Sequence, residues 1–320
     1  MNEIAVIGAG AFGTALAIQA ARAGNRVRLW ARDPARVAAI AVSRNNPRLP
    51  GITLAASITI TASMPVGADA YLLVVPTQYL RDVSALLPPG ASRLVVCAKG
   101  VEAGSLRLPL EILAELRPNA ASAVLTGPNF AHEIAAGLPA AAVVAAQDSA
   151  LREDIARQLG TATFRLYGND DPVGAQVGGA AKNVIAIAAG AVIGAGLGEN
   201  ARAALITRGL AELSRLAVAL GGRAETVMGL SGLGDLLLTC TGPTSRNFSL
   251  GLALGRGESP AEILAASSAV TEGVATAPAL VARAAGVDLP ICAAVADLLA
   301  GRLTLDAAIT ALLTRPRRDE

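Results

Sequence analysis

Ile4-Ala5-Val6-Ile7-Gly8-Ala9-Gly10-Ala11-Phe12-Gly13-Thr14-Ala15-Leu16-Ala17 joins a short apolar run to a G-x-G-x-x-G fingerprint and then to a helical pattern that continues to about Ala23. Strand, glycine turn and helix in that order predict the opening of a β-α-β unit. The glycines permit a tight turn, close approach of a pyrophosphate to the helix N-terminus, and close packing of helix on strand. A second strand, Arg26-Val27-Arg28-Leu29-Trp30, closes the unit, and Ala31-Arg32-Asp33 follows it. A guanidinium at Arg32 suits a ribose 2′-phosphate and favours NADPH, with NADH possible. The alternative is a surface arginine, with Asp33 on the ribose.

Outward from this unit, Asp33-Pro34 opens a helix to about Ser43, and Asn45 to Gly51 is a turn-rich loop. The runs beginning at Ala70, Arg93, Ser122 and Ala140 read as strands alternating with helices, which predicts a parallel sheet. Ligands of such sheets gather at the strands' carboxyl ends, and that groups Pro76, Lys99-Gly100 and Gly127-Pro128-Asn129-Phe130-Ala131. Lys99 is either a cation of this crevice or a solvated loop lysine. After Asp171 the strand signals stop. The chain therefore divides into an N-terminal Rossmann-type parallel-sheet domain, 1–171, and an all-α domain, 172–320, an α/β architecture of sufficient length for two cores.

The second domain opens with an Ala, Val, Ile and Gly-rich helix. Asp171 is its N-cap, Pro172 stands in its first turn and glycines from Gly194 end it. Between Val173 and Gly198 its one charged side chain is Lys182. A lone buried ammonium carries a desolvation cost of several kcal/mol or a depressed pKa, and the second suits proton exchange. Snorkelling to the surface is the alternative. Farther on, Gly232-Leu233-Gly234-Asp235 precedes Ser245-Arg246-Asn247, where donors at a helix start beside an arginine make an anion site unless Ser245 is merely a cap.

Composition excludes several classes. The chain has 320 residues, net charge +2 and 2% aromatic residues, a poor footprint for nucleic acid. The tail Arg315-Pro316-Arg317-Arg318 reads as solvated. Cys97, Cys240 and Cys292 are far apart and His132 is the one histidine, so no metal is expected. The longest uncharged run, Asn183 to Gly198, is shorter than the roughly 20 residues that a bilayer requires, so no membrane span is expected. The N-terminus lacks a basic n-region, which predicts a cytoplasmic protein.

Taken together, the fingerprint, Lys99-Gly100, Gly127-Pro128, Gly178-Gly179-Ala180-Ala181-Lys182-Asn183-Val184, Asn200-Ala201-Arg202, Gly232-Leu233-Gly234-Asp235 and Ser245-Arg246-Asn247 resemble the bacterial NAD(P)-dependent sn-glycerol-3-phosphate dehydrogenases over nearly the whole chain. The resemblance implies interconversion of dihydroxyacetone phosphate and sn-glycerol 3-phosphate, supplying phospholipid synthesis. It assigns proton transfer to Lys182, with Lys99 and Asp235 beside it. Substrate contacts fall on Lys99, Gly127, Asn129, Lys182, Asn183, Asp235, Thr239, Ser245, Arg246 and Asn247. Cofactor contacts fall on Gly8, Gly10, Ala11, Phe12, Gly13, Arg32, Arg48, Lys99, Ala131, Arg246, Val270 and Glu272. Asn129 departs from the family's Ser or Thr, Arg48 from its aromatic and Ala11 from its serine. The alternatives are a 6-phosphogluconate or 3-hydroxyacid dehydrogenase-like enzyme and a non-catalytic NADPH sensor. A homodimer is expected by analogy with apolar helical domains.

Overall fold

The computed structural model describes residues 2–266 and 271–314. Val270 and the Arg315–Arg318 tail lie outside the described residues. The chain forms two compact units, residues 1–99 with 107–176 and residues 100–106 with 177–320.

The first unit holds one sheet of β1 (Glu3–Ile7), β2 (Arg26–Trp30), β3 (Ile58–Thr61), β4 (Ala70–Leu73), β5 (Arg93–Val96), β6 (Ala121–Thr126), β7 (Ala140–Ala145) and β8 (Phe164–Asn169). Helices α1 (Ala11–Arg22), α2 (Pro34–Ser43), α3 (Leu80–Ala85), α4 (Pro109–Leu116), α5 (Ala131–Ala136) and α6 (Ser149–Leu159) connect the strands. The strand order is β3-β2-β1-β4-β5-β6-β7-β8. The direction of travel reverses at β1, so the ends of β1 and β4 open the crevice in which such sheets bind ligands.

Alternation along β1 fills both faces. Ile4 and Val6 pack with Leu16 and Ala20 of α1, whereas Ala5 and Ile7 pack with Tyr71, Leu80 and Leu94. A strand covered on both sides has to be a continuous apolar run, as β1 is.

The sheet is not wholly parallel. β7 runs antiparallel to β6, with Val124 opposite Ala145 and Thr126 opposite Val143. The one helix between them, α5, has six residues and spans about 9 Å, whereas a six-residue strand spans about 20 Å. A connector that short cannot return the chain to the far end of the sheet, so β7 starts where β6 stops. The short strands β3 and β8 also join the sheet, neither of them marked in the sequence reading. β8 is an edge strand with mostly exposed or half-buried side chains.

The second unit is helical: most of α7 (Pro172–Gly194), then α8 (Gly198–Ala219), α9 (Ala224–Val227), α10 (Asp235–Cys240), α11 (Arg246–Gly255), α12 (Pro260–Ala266), α13 (Glu272–Arg283), α14 (Pro290–Leu299) and α15 (Leu305–Leu313). Asp171 Oδ1 accepts from the Gly174 N-H at 2.8 Å, the expected cap of α7. With 23 residues and a window of mean hydropathy 1.6, α7 is long and apolar enough to cross a membrane by length and composition. Lys182 interrupts the uncharged run within this helix, which is why the run alone falls short of a span whereas the whole helix does not. Within the fold, 78% of that window is buried.

Two interactions set the packing of this unit. Glu212 of α8, 1% exposed, accepts from the Ile291 and Cys292 N-H groups at 2.7 and 3.1 Å and so caps α14 from a neighbouring helix. Burial nevertheless raises its pKa. Helices α7 and α11 meet backbone to backbone: a Cβ on Gly190 would lie 2.1 Å from Phe248 O, and one on Gly251 would lie 1.9 Å from Ile187 O. Gly190→Ala should therefore lower the unfolding free energy by about 1–3 kcal/mol or more, because the obstructing atoms are backbone. A urea unfolding curve indistinguishable from the parent's would contradict this crossing.

Candidate functional site

The first unit supplies a nucleotide cradle. Gly8 has φ +120°, and a Cβ there would lie 2.4 Å from Val74 O, at the end of β4. A Cβ on Gly13 would meet Gly8 O at 1.9 Å, so that glycine seats α1 under the loop. Beside Gly10 the space is open, with nothing within 4 Å of a Cβ built there. The Gly10 cap supplies no side-chain bond, and the first turn of α1 holds no acidic residue. An open cradle over unsatisfied N-H groups fits the pyrophosphate of a dinucleotide. Ala11 and Phe12, in that turn, are half-buried.

Two residues that the sequence reading did not single out brace this loop. Asn46, 1% exposed, donates from Nδ2 to Ala9 O at 3.1 Å and to Thr14 Oγ1 at 2.6 Å, and its Oδ1 accepts from Arg48 N at 3.1 Å. Arg36 donates from Nη2 to the same Ala9 oxygen and to Asn46 Oδ1. Arg32 and Arg48 are exposed near them in sequence, and Asp33 Oδ1 caps α2 by accepting from Ala35 N at 3.0 Å. The sole sequence signal was a turn-rich Asn-Asn-Pro loop. Pairing of Asn46 with a residue 37 positions earlier leaves no local trace.

Near the carboxyl ends of β5 and β6, Lys99 Nζ donates to Gly127 O at 3.1 Å. Gly127 has φ +137°, and a Cβ there would crowd Ala142 Cα at 3.0 Å, so a glycine is required. Asn129 Oδ1 is buried without a hydrogen-bond partner among the described residues, an acceptor that an incoming hydroxyl could satisfy. Ala131 opens α5 and is half-buried.

The second unit holds the ammonium. Lys182 is 7% exposed, and its Nζ donates to Asp235 Oδ1 at 2.5 Å and to Thr239 Oγ1 at 2.9 Å. Thr239 Oγ1 in turn donates to Asp235 O at 2.6 Å, which commits its proton and presents its lone pairs to the lysine. The ammonium is neither alone nor snorkelling. Asp235 arrives there through a π-helical turn, Leu230–Gly234, laid against α7. A Cβ on Gly178, one helical turn before Lys182, would meet Ser231 O at 2.6 Å, and one on Gly232 would meet Val227 O at 1.9 Å. The glycines of both motifs thus bring Asp235 to Lys182.

An amide ladder lies beyond. Asn247 Nδ2 donates to Asn183 Oδ1 at 2.9 Å, and Asn247 Oδ1 accepts from the Gly273 N-H at 3.0 Å. Ser245 caps α11, accepting from Phe248 N at 3.3 Å, while Arg246 is exposed. Glu272, in the first turn of α13, is half-buried. The predicted residues of the helical unit therefore meet in two clusters, Lys182 with Asp235 and Thr239, and Asn183 with Asn247.

Residues 3–152 match the family described as NAD-dependent glycerol-3-phosphate dehydrogenase N-terminus, and residues 171–310 match its C-terminus. The chain belongs to this family. A glycerol-3-phosphate dehydrogenase (NAD(P)+) of Acidiphilium cryptum is 59% identical over 320 residues, covering 99% of this chain and 98% of that protein. One from a Bradyrhizobium species is 55% identical over 328 residues, covering 100% and 98%. The crystal structure of glycerol-3-phosphate dehydrogenase from Coxiella burnetii superimposes with a TM-score of 0.92 at 36% identity, covering 98% of this chain and 99% of that one. The expected family and two-part architecture are thereby established, and the 6-phosphogluconate or 3-hydroxyacid alternative is set aside.

For this dehydrogenase the buried pair makes a direct prediction. Asp235→Leu alone should cost about 3–5 kcal/mol of stability by stranding a buried ammonium, and Lys182→Met alone should also cost stability by stranding the carboxylate, whereas the two together should recover most of the loss. Denaturant unfolding of the two single variants and the double one measures the coupling. Additive losses would show that the pair is not coupled.

Proposed function

We propose that this chain reduces dihydroxyacetone phosphate to sn-glycerol 3-phosphate, with Lys182 delivering the proton to the C2 oxygen. The observation that carries the reading is the ammonium of Lys182, buried and aimed by Asp235 and Thr239. As a member of its family the chain is an NAD(P)-dependent oxidoreductase. The nicotinamide cofactor supplies the hydride when bound. Negative charge then grows on the ketone oxygen, and the Lys182 Nζ both stabilises it and gives up a proton to it; the reverse reaction returns that proton. Asp235 balances the ammonium before transfer and Thr239 fixes its direction. No metal is required in this scheme, because the lysine supplies the charge.

Substrate binding is assigned to Lys99, Gly127, Asn129, Asn183, Ser245, Arg246 and Asn247. Arg246 and the Asn183–Asn247 pair suit the phosphate, whose remote binding energy can hold C2 in place. Gly8, Gly10, Ala11, Phe12, Gly13, Ala131 and Glu272 are assigned to the cofactor. NADPH is the preferred form in this reading, with NADH also accepted. Support comes from the Asp33 carboxylate, which is already engaged at the start of α2, next to the Arg32 guanidinium. A homodimer in the cytoplasm, feeding phospholipid synthesis, completes the proposal. The buried share of α7 supports a core helix over a membrane span.

The test is loss of nicotinamide absorbance when the protein meets NADPH and dihydroxyacetone phosphate. A sensor would bind NADPH without turnover. Lys182→Ala should lower kcat by about 10²-fold to 10⁴-fold, and Lys182→Arg should not restore it, since a guanidinium holds its proton near neutral pH. Near-parental kcat in a folded Lys182→Ala protein would overturn the assignment. Arg32→Asp should weaken NADPH by about 10-fold to 150-fold while sparing NADH, and equal losses in titrations of both would overturn the Arg32 role.

A further inference from the structure

Arg36, at the third position of α2, uses one edge of its guanidinium. Both of its hydrogen bonds leave from Nη2, one to Ala9 O within the glycine loop and one to Asn46 Oδ1 at 3.1 Å. Among the described residues Nε and Nη1 make no hydrogen bond, although a guanidinium carries five donors. The neighbouring charges do not balance it. Arg48 is anchored on the same Asn46 oxygen through its backbone N-H, and its exposed side chain makes no hydrogen bond or ion pair among the described residues. Its charge depresses the Arg36 pKa, second to burial and ahead of the opposing effect of Asp33. The Arg36 guanidinium and the Arg48 backbone thus share one neutral amide oxygen, two like charges lie near each other, and the nearby carboxylate is turned to a helix cap. Such a pair is stabilised by an anion with several acceptor oxygens. The place is the loop side of β2, where a dinucleotide's adenosine ribose lies in a sheet of this topology.

We propose that Arg36, together with Arg48, binds the ribose 2′-phosphate of NADPH and makes Arg36 a determinant of cofactor specificity. The inference rests on the NADPH reading above and adds to it. Arg32 contributes charge from an exposed position before the helix, whereas Arg36 ties the phosphate to the loop: one edge meets the phosphate and the other holds Ala9 O beside the pyrophosphate cradle.

The experiment is equilibrium titration of the full chain with NADPH, NADH and adenosine 2′-monophosphate. The variant is Arg36→Gln, whose amide can still donate to Ala9 O while the charge is gone. NADPH and adenosine 2′-monophosphate should each weaken by about 10-fold or more, and NADH by less than about 3-fold. Equal weakening of NADPH and NADH would overturn the proposal and leave Arg36 as a brace of the loop. Should Arg36→Gln fail to fold, Arg48→Gln reads the same site, and an unchanged ratio of NADPH to NADH affinity overturns the proposal there too. A parent protein that prefers NADH fails at the earlier step, the NADPH reading itself. A parent that prefers NADPH, with the preference intact in both variants, defeats this inference alone.

Discussion

A positive charge set in the middle of an apolar helix has to be answered by a negative one, and much of the helical unit follows from the way Asp235 answers Lys182. For a carboxylate 53 residues away to reach α7 within hydrogen-bond distance, two backbones must nearly touch. Gly178 removes the side chain that would hold them apart, Gly232 lets the turn fold tightly back on Val227, and the π-helical turn offsets Asp235 toward the lysine. Thr239 then lies one turn beyond Asp235 and closes the triangle. An isolated ammonium would gain from being removed. Here its removal would leave a carboxylate, 1% exposed, with no countercharge, so the same contact that prepares the proton carrier also holds the packing together.

In the sheet unit the governing constraint is steric. The loop after β1 has to pass within van der Waals distance of Val74, and α1 has to start directly beneath it, which is why glycines stand at 8 and 13. Gly10 differs from them, since the space next to it is kept open. Asn46 and Arg36 then stiffen the loop from outside through the carbonyl of Ala9, so the shape of the cradle depends on a segment almost forty residues away.

Periodicity and punctuation made most of the architecture legible. The strand, glycine turn and helix at 4–23 were visible in the residue order, and so was the helix opened by Asp171 and Pro172. Lys182 stood out because nothing charged surrounds it in the chain. The antiparallel β7 was not visible, because its direction depends on the length of α5 rather than on the composition of the strand. β3 and β8 are four and six residues long with incomplete burial, too little for a pattern to register. The partners of buried polar groups were equally hidden. Glu212 reads as an ordinary charge on an amphipathic helix, yet it satisfies two N-H groups at the head of α14, 79 and 80 residues on.

The short segment 100–106 belongs with the helical unit although the chain on both sides of it belongs to the sheet unit. Arg283 Nη1 holds its far end by donating to Leu106 O at 3.2 Å, across 177 residues of sequence. During synthesis at about 5–20 residues per second, roughly 10–35 s separate the emergence of Leu106 from that of its partner. The segment is therefore synthesised well before the residue that holds its far end. No single cut in the gene divides the chain into two parts that each contain a whole unit.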